Sequence, residues 1–309
     1  MQPGISTHVF FQHRLHPGLL DALASAGART IEVSAARHHF DYTDTPAVRE
    51  LASWFRSNDV RAVLRQPIYI TDRADTQWSR HVAPNLNLIA PEKTHRIAAM
   101  DEVKRAIESA EQVPFAAVVL SLGLAHSTWD DAAIENSLTA IEHLKAFASP
   151  LGVRLLLENG ENEVTTPEHL LYILRAGHFD SVGVSLDIGH LHLAQDAPPS
   201  APTQKSQSES RPDPSNPTPS PWVSSAITLL GDRIAQLHLH DNHGPFSDSA
   251  EMKDEHLWPG EGTIDWPGAI AALAPIAATT PAILAPTADR EEPATSITRK
   301  AAAAFRALE

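Results

Sequence analysis

Between Ile234 and Trp266 the chain carries His238, His240, Asp241, His243, Asp254 and His256. Imidazole and carboxylate donors at this density suit zinc, manganese, iron or cobalt better than magnesium or calcium, which favour oxygen ligands alone. Two other stretches end in the same kinds of residue: Leu155-Leu156-Leu157 runs into Glu158-Asn159-Gly160, and Leu186 into Asp187-Ile188-Gly189-His190. A carboxylate directly after an apolar run is costly to bury unless a counter-charge or a metal meets it. Taken singly, each of these residues reads as a helix cap or a partner for the backbone. Taken together, Glu158, Asp187 and His238 at the ends of apolar runs are hard to explain as packing and mark a candidate functional site.

Those residues need a scaffold that brings separate chain segments to one place. Eight short apolar runs recur: Ile5–Phe10, Thr30–Val33, Val60–Leu64, Phe115–Leu120, Val153–Leu157, Ser181–Leu186, Ile234–Leu239 and Pro281–Ala285. Nearly all are continuous rather than alternating, the pattern of parallel strands covered on both faces. Between them lie segments of helical period. Val48, Leu51, Ala52 and Phe55 follow i, i+3, i+4, i+7 behind Thr45-Pro46, and Ile134, Leu138, Ile141, Leu144 and Phe147 form a second stripe. Thr166-Pro167 opens a helix ending at Gly177, Ile264 to Pro267 starts another, and 101–110 and 298–308 also read as helix. Strand and helix alternating eight times predict a single-domain (β/α)8 barrel over 1–309, with a doubly wound open sheet as the alternative.

One segment breaks the rhythm. Residues 196–221 are rich in Pro and Ser and nearly devoid of large apolar side chains, so the segment is expected to be a disordered or lid-like insertion after strand six. The connection from Gln66 to Lys93 is also long and carries Tyr69, Trp78 and His81, which are placed to line a pocket. A formal net charge of −14 argues against a broad nucleic-acid surface, and the absence of cysteine excludes disulfides and thiolate sites. With no long apolar run, the expectation is a soluble cytoplasmic protein with no membrane partner. The oligomeric state, a homodimer among the options, is written in no motif.

The strings Leu186-Asp187-Ile188-Gly189-His190, His238-Leu239-His240-Asp241-Asn242, Asp254-Glu255-His256 and 259–265 (PGEGTID) together resemble the xylose isomerase-like TIM-barrel superfamily. That group includes sugar isomerases and epimerases as well as endonuclease IV-type AP endonucleases. The resemblance implies a divalent metal held by Glu158, Asp187 and His238, with Glu158 also the proton-transfer base. It implies that His190 contacts substrate or metal, and that Asp254 and His256 belong to a further metal position. Glu32 and Tyr69 join His190 and His256 as expected substrate contacts, and the expected partner is a small sugar.

Two departures qualify the resemblance. The strand-eight glutamate of the superfamily is replaced here by Ala285, and the endonuclease histidines of strands three and four by Gln66 and Ser121. Alanine neither binds a metal nor moves a proton; Asp289, Glu291 and Glu261 are the nearby carboxylates that could substitute. The reading is therefore a sugar isomerase or epimerase working through an enediolate. The alternatives are a sugar-binding barrel that has lost turnover and, behind it, a metal-dependent phosphodiesterase. No glycine-rich phosphate cradle is present, since Gly260-x-Gly262 is too short, which leaves Arg65 and Arg290 as the candidates to bind a phosphate.

Overall fold

The computed structural model describes residues 1–70, 84–195, 217–245 and 254–308. Eight parallel strands close on themselves in sequential order, β1-β2-β3-β4-β5-β6-β7-β8. They are β1 (Gln2–Ser6), β2 (Thr30–Ser34), β3 (Arg61–Arg65), β4 (Phe115–Leu120), β5 (Arg154–Glu158), β6 (Gly183–Asp187), β7 (Ile234–Leu239) and β8 (Pro281–Leu284). Around them lie α1 (Pro17–Ser25), α2 (Thr45–Ser57), α3 (Lys93–Glu108), α4 (Asp131–Ala148), α5 (Pro167–Ala176), α6 (Ile188–Leu193), α7 (Pro221–Leu230), α8 (Trp266–Leu273) and α9 (Ala294–Ala307). This is a (β/α)8 barrel. Among the described residues no helix is long and apolar enough to cross a membrane.

Alternation along each strand sorts side chains between the two faces. Ile31, Val33, Leu64, Leu155, Leu157, Leu186, Leu237 and Leu239 belong to the large core between strands and helices. Val63, Ala117, Val119 and Leu156 form a separate small cluster inside the barrel. By the same parity Arg65 follows Val63 and Glu158 follows Leu156 onto the inner face, at the C-terminal ends of β3 and β5. The leucine run of β5 is thus a two-sided strand that delivers its carboxylate to the barrel mouth.

Some boundaries differ from the sequence expectation. The apolar run Ile5–Phe10 does not stay extended: the strand stops at Ser6, whose side chain accepts from the His8 backbone N–H and caps a 3-10 turn over Thr7–Phe10. The helices α1, α6 and α7 were not expected. In α6 the N-cap is Asp187 itself, its Oδ1 accepting the His190 N–H at 2.9 Å. Of the segment expected as an insertion, 196–216 lies outside the described residues, as do Trp78 and His81. Its last residues are built into the fold: Ser220 is buried, its N–H bonds the Gly268 carbonyl at 2.8 Å, and Pro221 opens α7.

The loops after β1 and β2 are locked together by a buried histidine. His39 donates Nδ1–H to the His13 carbonyl at 2.6 Å, and its Nε2 accepts the Thr7 hydroxyl at 2.9 Å. Thr7 Oγ1 in turn accepts the Ser34 N–H. Burial pushes its pKa down to about 4, toward the neutral ring that makes these two contacts. Because the folded value lies below the unfolded one, this contribution is complete above about pH 6.5 and is lost as the pH falls toward 4, some ~3 kcal/mol in all. Urea unfolding between pH 7 and 4 should show a shallower loss of stability in His39→Gln than in the wild type; equal slopes would show that this histidine does not titrate on unfolding.

Candidate functional site

The site lies at the C-terminal mouth, where β3, β5, β6 and β7 end. Glu158 is buried and its two oxygens are held by the Arg65 guanidinium, Nη1 to Oε1 at 2.7 Å and Nη2 to Oε2 at 2.6 Å. The Ser121 hydroxyl donates to Oε2 at 2.9 Å. His238, also buried, sits between two carboxylates, with Nδ1 2.5 Å from Glu158 Oε1 and Nε2 2.7 Å from Glu32 Oε2. Gln236 donates to the same Glu32 oxygen at 2.9 Å. Burial opposes every one of these charges, yet the pairing prevails. Arg65 and His238 hold the Glu158 carboxyl well below the usual range, and Glu32 and Glu158 raise His238 to about 10. Both His238 nitrogens thus lie within hydrogen-bonding reach of a carboxylate.

A second group packs beside the first. His190 donates Nδ1–H to the Asn159 carbonyl at 2.8 Å, and its Nε2 faces Asp254 Oδ2 at 3.1 Å. His256 donates Nδ1–H to the Ala285 carbonyl at 2.6 Å, and its Nε2 faces the same Asp254 oxygen at 3.0 Å. A carbonyl accepts and never donates, so the backbone fixes the tautomer of both rings, as is usual for metal-binding histidines. His240 stacks on His256 with ring centroids 3.9 Å apart. Its Nε2 lies 3.0 Å from Asp187 Oδ1 and its Nδ1 3.7 Å from Asp254 Oδ1. Neither nitrogen has a hydrogen bond of proper alignment, nor do the buried oxygens Asp187 Oδ2 and Asp254 Oδ1. Burial pushes His240 down, toward the neutral form with a free lone pair, although Asp187 opposes this. For Asp187, burial is outweighed by His190 and His240, which hold its carboxyl at about 2.

Orphaned buried donors and acceptors carry a cost that a bound cation would remove. The donor set fits one: single atoms from His190, His240, Asp254 and His256 lie within 4.8 Å of one another, as do single atoms from Glu158, Asp187 and His190.

Next to the cluster, over the ends of β1 to β4, opens a cavity of about 380 Å³. Its wall is polar at Glu32, Arg65, Ser121 and Tyr69 and apolar at Phe11 and Leu124, while His256 and Ala285 form its border with the cluster. The expected residues Glu158, Asp187, His238, His190, Asp254 and His256 thus converge, and Glu32 and Tyr69 face the adjoining cavity. Other singled-out residues do not join the cluster. His243 pairs with Glu255 at 2.8 Å, His13 donates to the Arg290 carbonyl, and Glu261 accepts the Trp258 N–H of its own turn. Asp289 and Glu291 are exposed. Sequence reasoning named Arg65 only as a phosphate contact; its inward parity one step beyond Val63 was the available signal. It also noted His240 as a ligand type without giving it a role.

A family model described as "Xylose isomerase-like TIM barrel" matches residues 20–308. Among curated proteins, the Methanocaldococcus jannaschii protein MJ1311 is 24% identical over 240 residues, covering 75% of this chain and 69% of that protein. Among solved structures, an IOLI protein with a bound zinc atom superposes with a TM-score of 0.70 at 17% identity, covering 100% of this chain and 98% of that one. D-Psicose 3-epimerase from Clostridium cellulolyticum H10, solved with D-tagatose, gives a TM-score of 0.69 at 16% identity and covers 100% and 98%. At these identities the structural likeness is one of fold.

The loop that presents Asp254 and His256 is anchored by Asp241, which is fully buried. Its Oδ1 accepts the N–H groups of Asn242 (2.9 Å) and Ile264 (3.2 Å), and its Oδ2 those of Gly260 (2.9 Å) and the Trp266 ring (2.8 Å). Gly262 is required beside it, since a Cβ there would lie 2.4 Å from Asp241 Oδ1. Asp241 is thus a structural residue rather than a ligand. In Asp241→Asn one amide end must face N–H donors, which should cost about 3 kcal/mol in urea unfolding. A loss of under about 1 kcal/mol would show that the loop is held by its other contacts.

Proposed function

Because the chain belongs to the xylose isomerase-like TIM-barrel family, we propose that it interconverts isomers of a small sugar in a divalent-metal-dependent reaction. The observation that carries this reading is the adjacency of the cavity and the imidazole–carboxylate cluster, with His256 and Ala285 on their common border. A space of about 380 Å³ is within the size class of small-molecule sites. Hydroxyl, guanidinium and carboxylate groups on one wall with Phe11 and Leu124 on another suit a polyol, which offers both hydroxyls and C–H faces. The similar structures include a sugar epimerase solved with D-tagatose and a zinc-bound protein, which supports the same substrate and cofactor class.

A divalent cation at such a site supplies carbonyl polarisation. The chain's own residues do the rest. Glu158, ionised at neutral pH, removes the proton from the hydroxyl-bearing carbon next to the sugar carbonyl and becomes the carboxylic acid, whose proton exchanges with solvent. It then delivers a proton to the former carbonyl carbon while the hydroxyl proton passes to the carbonyl oxygen, which regenerates the carboxylate. Arg65 covers both Glu158 oxygens and also lines the cavity. A substrate oxygen must therefore take over part of the guanidinium fork before the carboxylate is free. That exchange frees the base and brings a positive charge to the oxygen on which enediolate charge develops. Burial raises the Glu158 carboxyl, but Arg65 and His238 outweigh it and hold it well below the usual range, a weak base, so the step depends on this hand-over.

Ala285 bears on the type of reaction. One base that withdraws and redelivers a proton on one face suffices for aldose–ketose isomerisation, whereas epimerisation needs delivery to the opposite face. With no carboxylate at 285, isomerisation is the favoured subtype. The alanine methyl in the cavity wall also favours a second reading, a sugar-binding barrel without turnover.

With ketohexoses in deuterated water and added divalent metal, the protein should incorporate deuterium at the carbon beside the carbonyl. Glu158→Gln should slow this by ~10²- to 10⁴-fold while sugar binding persists. Sugar binding without exchange in the wild type, with exchange appearing in Ala285→Glu, would establish the second reading instead.

A further inference from the structure

We propose that His8 is a substrate-binding residue, the hydrogen-bonding group that meets a sugar hydroxyl on the side of the cavity where β8 presents only Ala285. This rests on the sugar reading above for the ligand, and on geometry for the residue. β1 and β8 are paired, Ile5 beside Leu284, so the residues that follow each strand come together at the barrel mouth. His8, His256 and Ala285 all line the cavity there. The backbone of His8 belongs to the 3-10 turn Thr7–Phe10, which Ser6 caps by accepting the His8 N–H at 3.3 Å. Its neighbour Thr7 is buried and bonded to Ser34 and His39, so the turn is pinned on its core side.

The side chain is held as a ring and left open at its nitrogens. Phe11 and His256 each meet the imidazole edge to face, with ring centroids 5.2 and 5.3 Å away. Yet none of the described residues hydrogen-bonds either ring nitrogen, and neither nitrogen is sealed from solvent, unlike Glu32 Oε1 and Gln66 Oε1 in the same wall. Other polar groups of the wall are committed: Arg65 and Ser121 to Glu158, and the Gln66 amide nitrogen to the Ser121 carbonyl at 3.3 Å. A phenylalanine would make the same ring contacts as His8, so packing alone gives no reason for the two nitrogens. A ligand does. An imidazole gives an N–H to a hydroxyl oxygen and, when neutral, accepts the hydroxyl hydrogen in turn. Phe11 beside it offers apolar surface to C–H groups. The pair suits the hydroxylated carbon chain of a sugar whose carbonyl end is held by Arg65 and Glu158.

Binding is read directly, apart from turnover, by calorimetry of the full chain with added zinc and a ketohexose. His8→Phe keeps a ring in place and should weaken binding ~5- to 20-fold. His8→Gln, which restores a donor and an acceptor, should recover part of that loss, and both variants should keep the wild-type metal content. A set of monodeoxy ketohexoses locates the contact. One of them should bind the wild type about as weakly as the parent sugar binds His8→Phe, and should lose nothing further in that variant. Equal sugar binding by wild type and His8→Phe, or deoxy losses that all add in full to that of the variant, would overturn the assignment and leave the sugar reading standing. Loss of metal from His8→Phe would make the residue a prop for the His256 ring instead. The unmodified protein covers the case of a variant that fails to fold. Diethyl pyrocarbonate, which acylates accessible imidazole nitrogens, should modify His8 in the free protein, and saturating ketohexose should protect it. A His8 that resists the reagent, or reacts equally with and without sugar, would refute the contact. No sugar bound by the wild type would overturn this inference and the sugar reading together.

Discussion

Four carboxylates, Glu32, Glu158, Asp187 and Asp254, are brought to one end of the barrel, three of them buried and Asp254 partly so. Their charge must be met inside the protein, because burial removes water from them and a carboxylate without a partner there is very costly. Arg65 and His238 meet Glu158 and Glu32, and His190 and His256 meet Asp254. Without a metal, the last two rings remain charged: burial opposes this, but Asp187 and Asp254 raise His190 and Asp254 raises His256.

This constraint divides the mouth of the barrel into two halves. The strands from β5 to β7 and their loops supply most of the carboxylates and imidazoles, Glu32 of β2 excepted, whereas β1 to β4 and their loops form most of the cavity wall. Arg65 joins the halves, since it stands on β3, lines the cavity and holds the β5 carboxylate. Its 22% exposed side chain can be reached by a substrate oxygen directly from the cavity wall. Substrate recognition and the basicity of Glu158 are then the same interaction seen from two sides.

Much of this was legible in the chain. The two-sided strands β4 and β7 were bounded as expected, because Phe115–Leu120 and Ile234–Leu239 are continuous apolar runs with a clear stop. Glu158 and Asp187 stood out because a carboxylate after leucines needs a reason. What sequence could not give was pairing across the barrel. The contact between Arg65 and Glu158 spans 93 residues, and that between Glu32 and His238 spans 206, so neither leaves a local spacing to read. Boundaries failed where a polar residue acted within an apolar run. Ser6 ends β1 inside what looks like a continuous strand, and Asp187 turns a loop into α6 by capping it.

The strand that lacks its expected side chain shows why the residue at position 285 and the placement of His256 are separable. β8 takes part through its backbone: the Ala285 carbonyl fixes the His256 ring, the Ala285 N–H pairs with Leu239, and the Thr287 N–H holds the His256 carbonyl. His256 also sits at a positive φ of 50°, a conformation that a non-glycine residue keeps only where surrounding contacts enforce it. Those contacts are main-chain groups that any residue at 285 would present. The methyl group facing the cavity is therefore free to vary with substrate size and chemistry while the imidazole beside it stays aimed at Asp254. A barrel of this design could gain or lose a second acid–base group on β8 without moving the His256 ring, which is held by the Ala285 carbonyl.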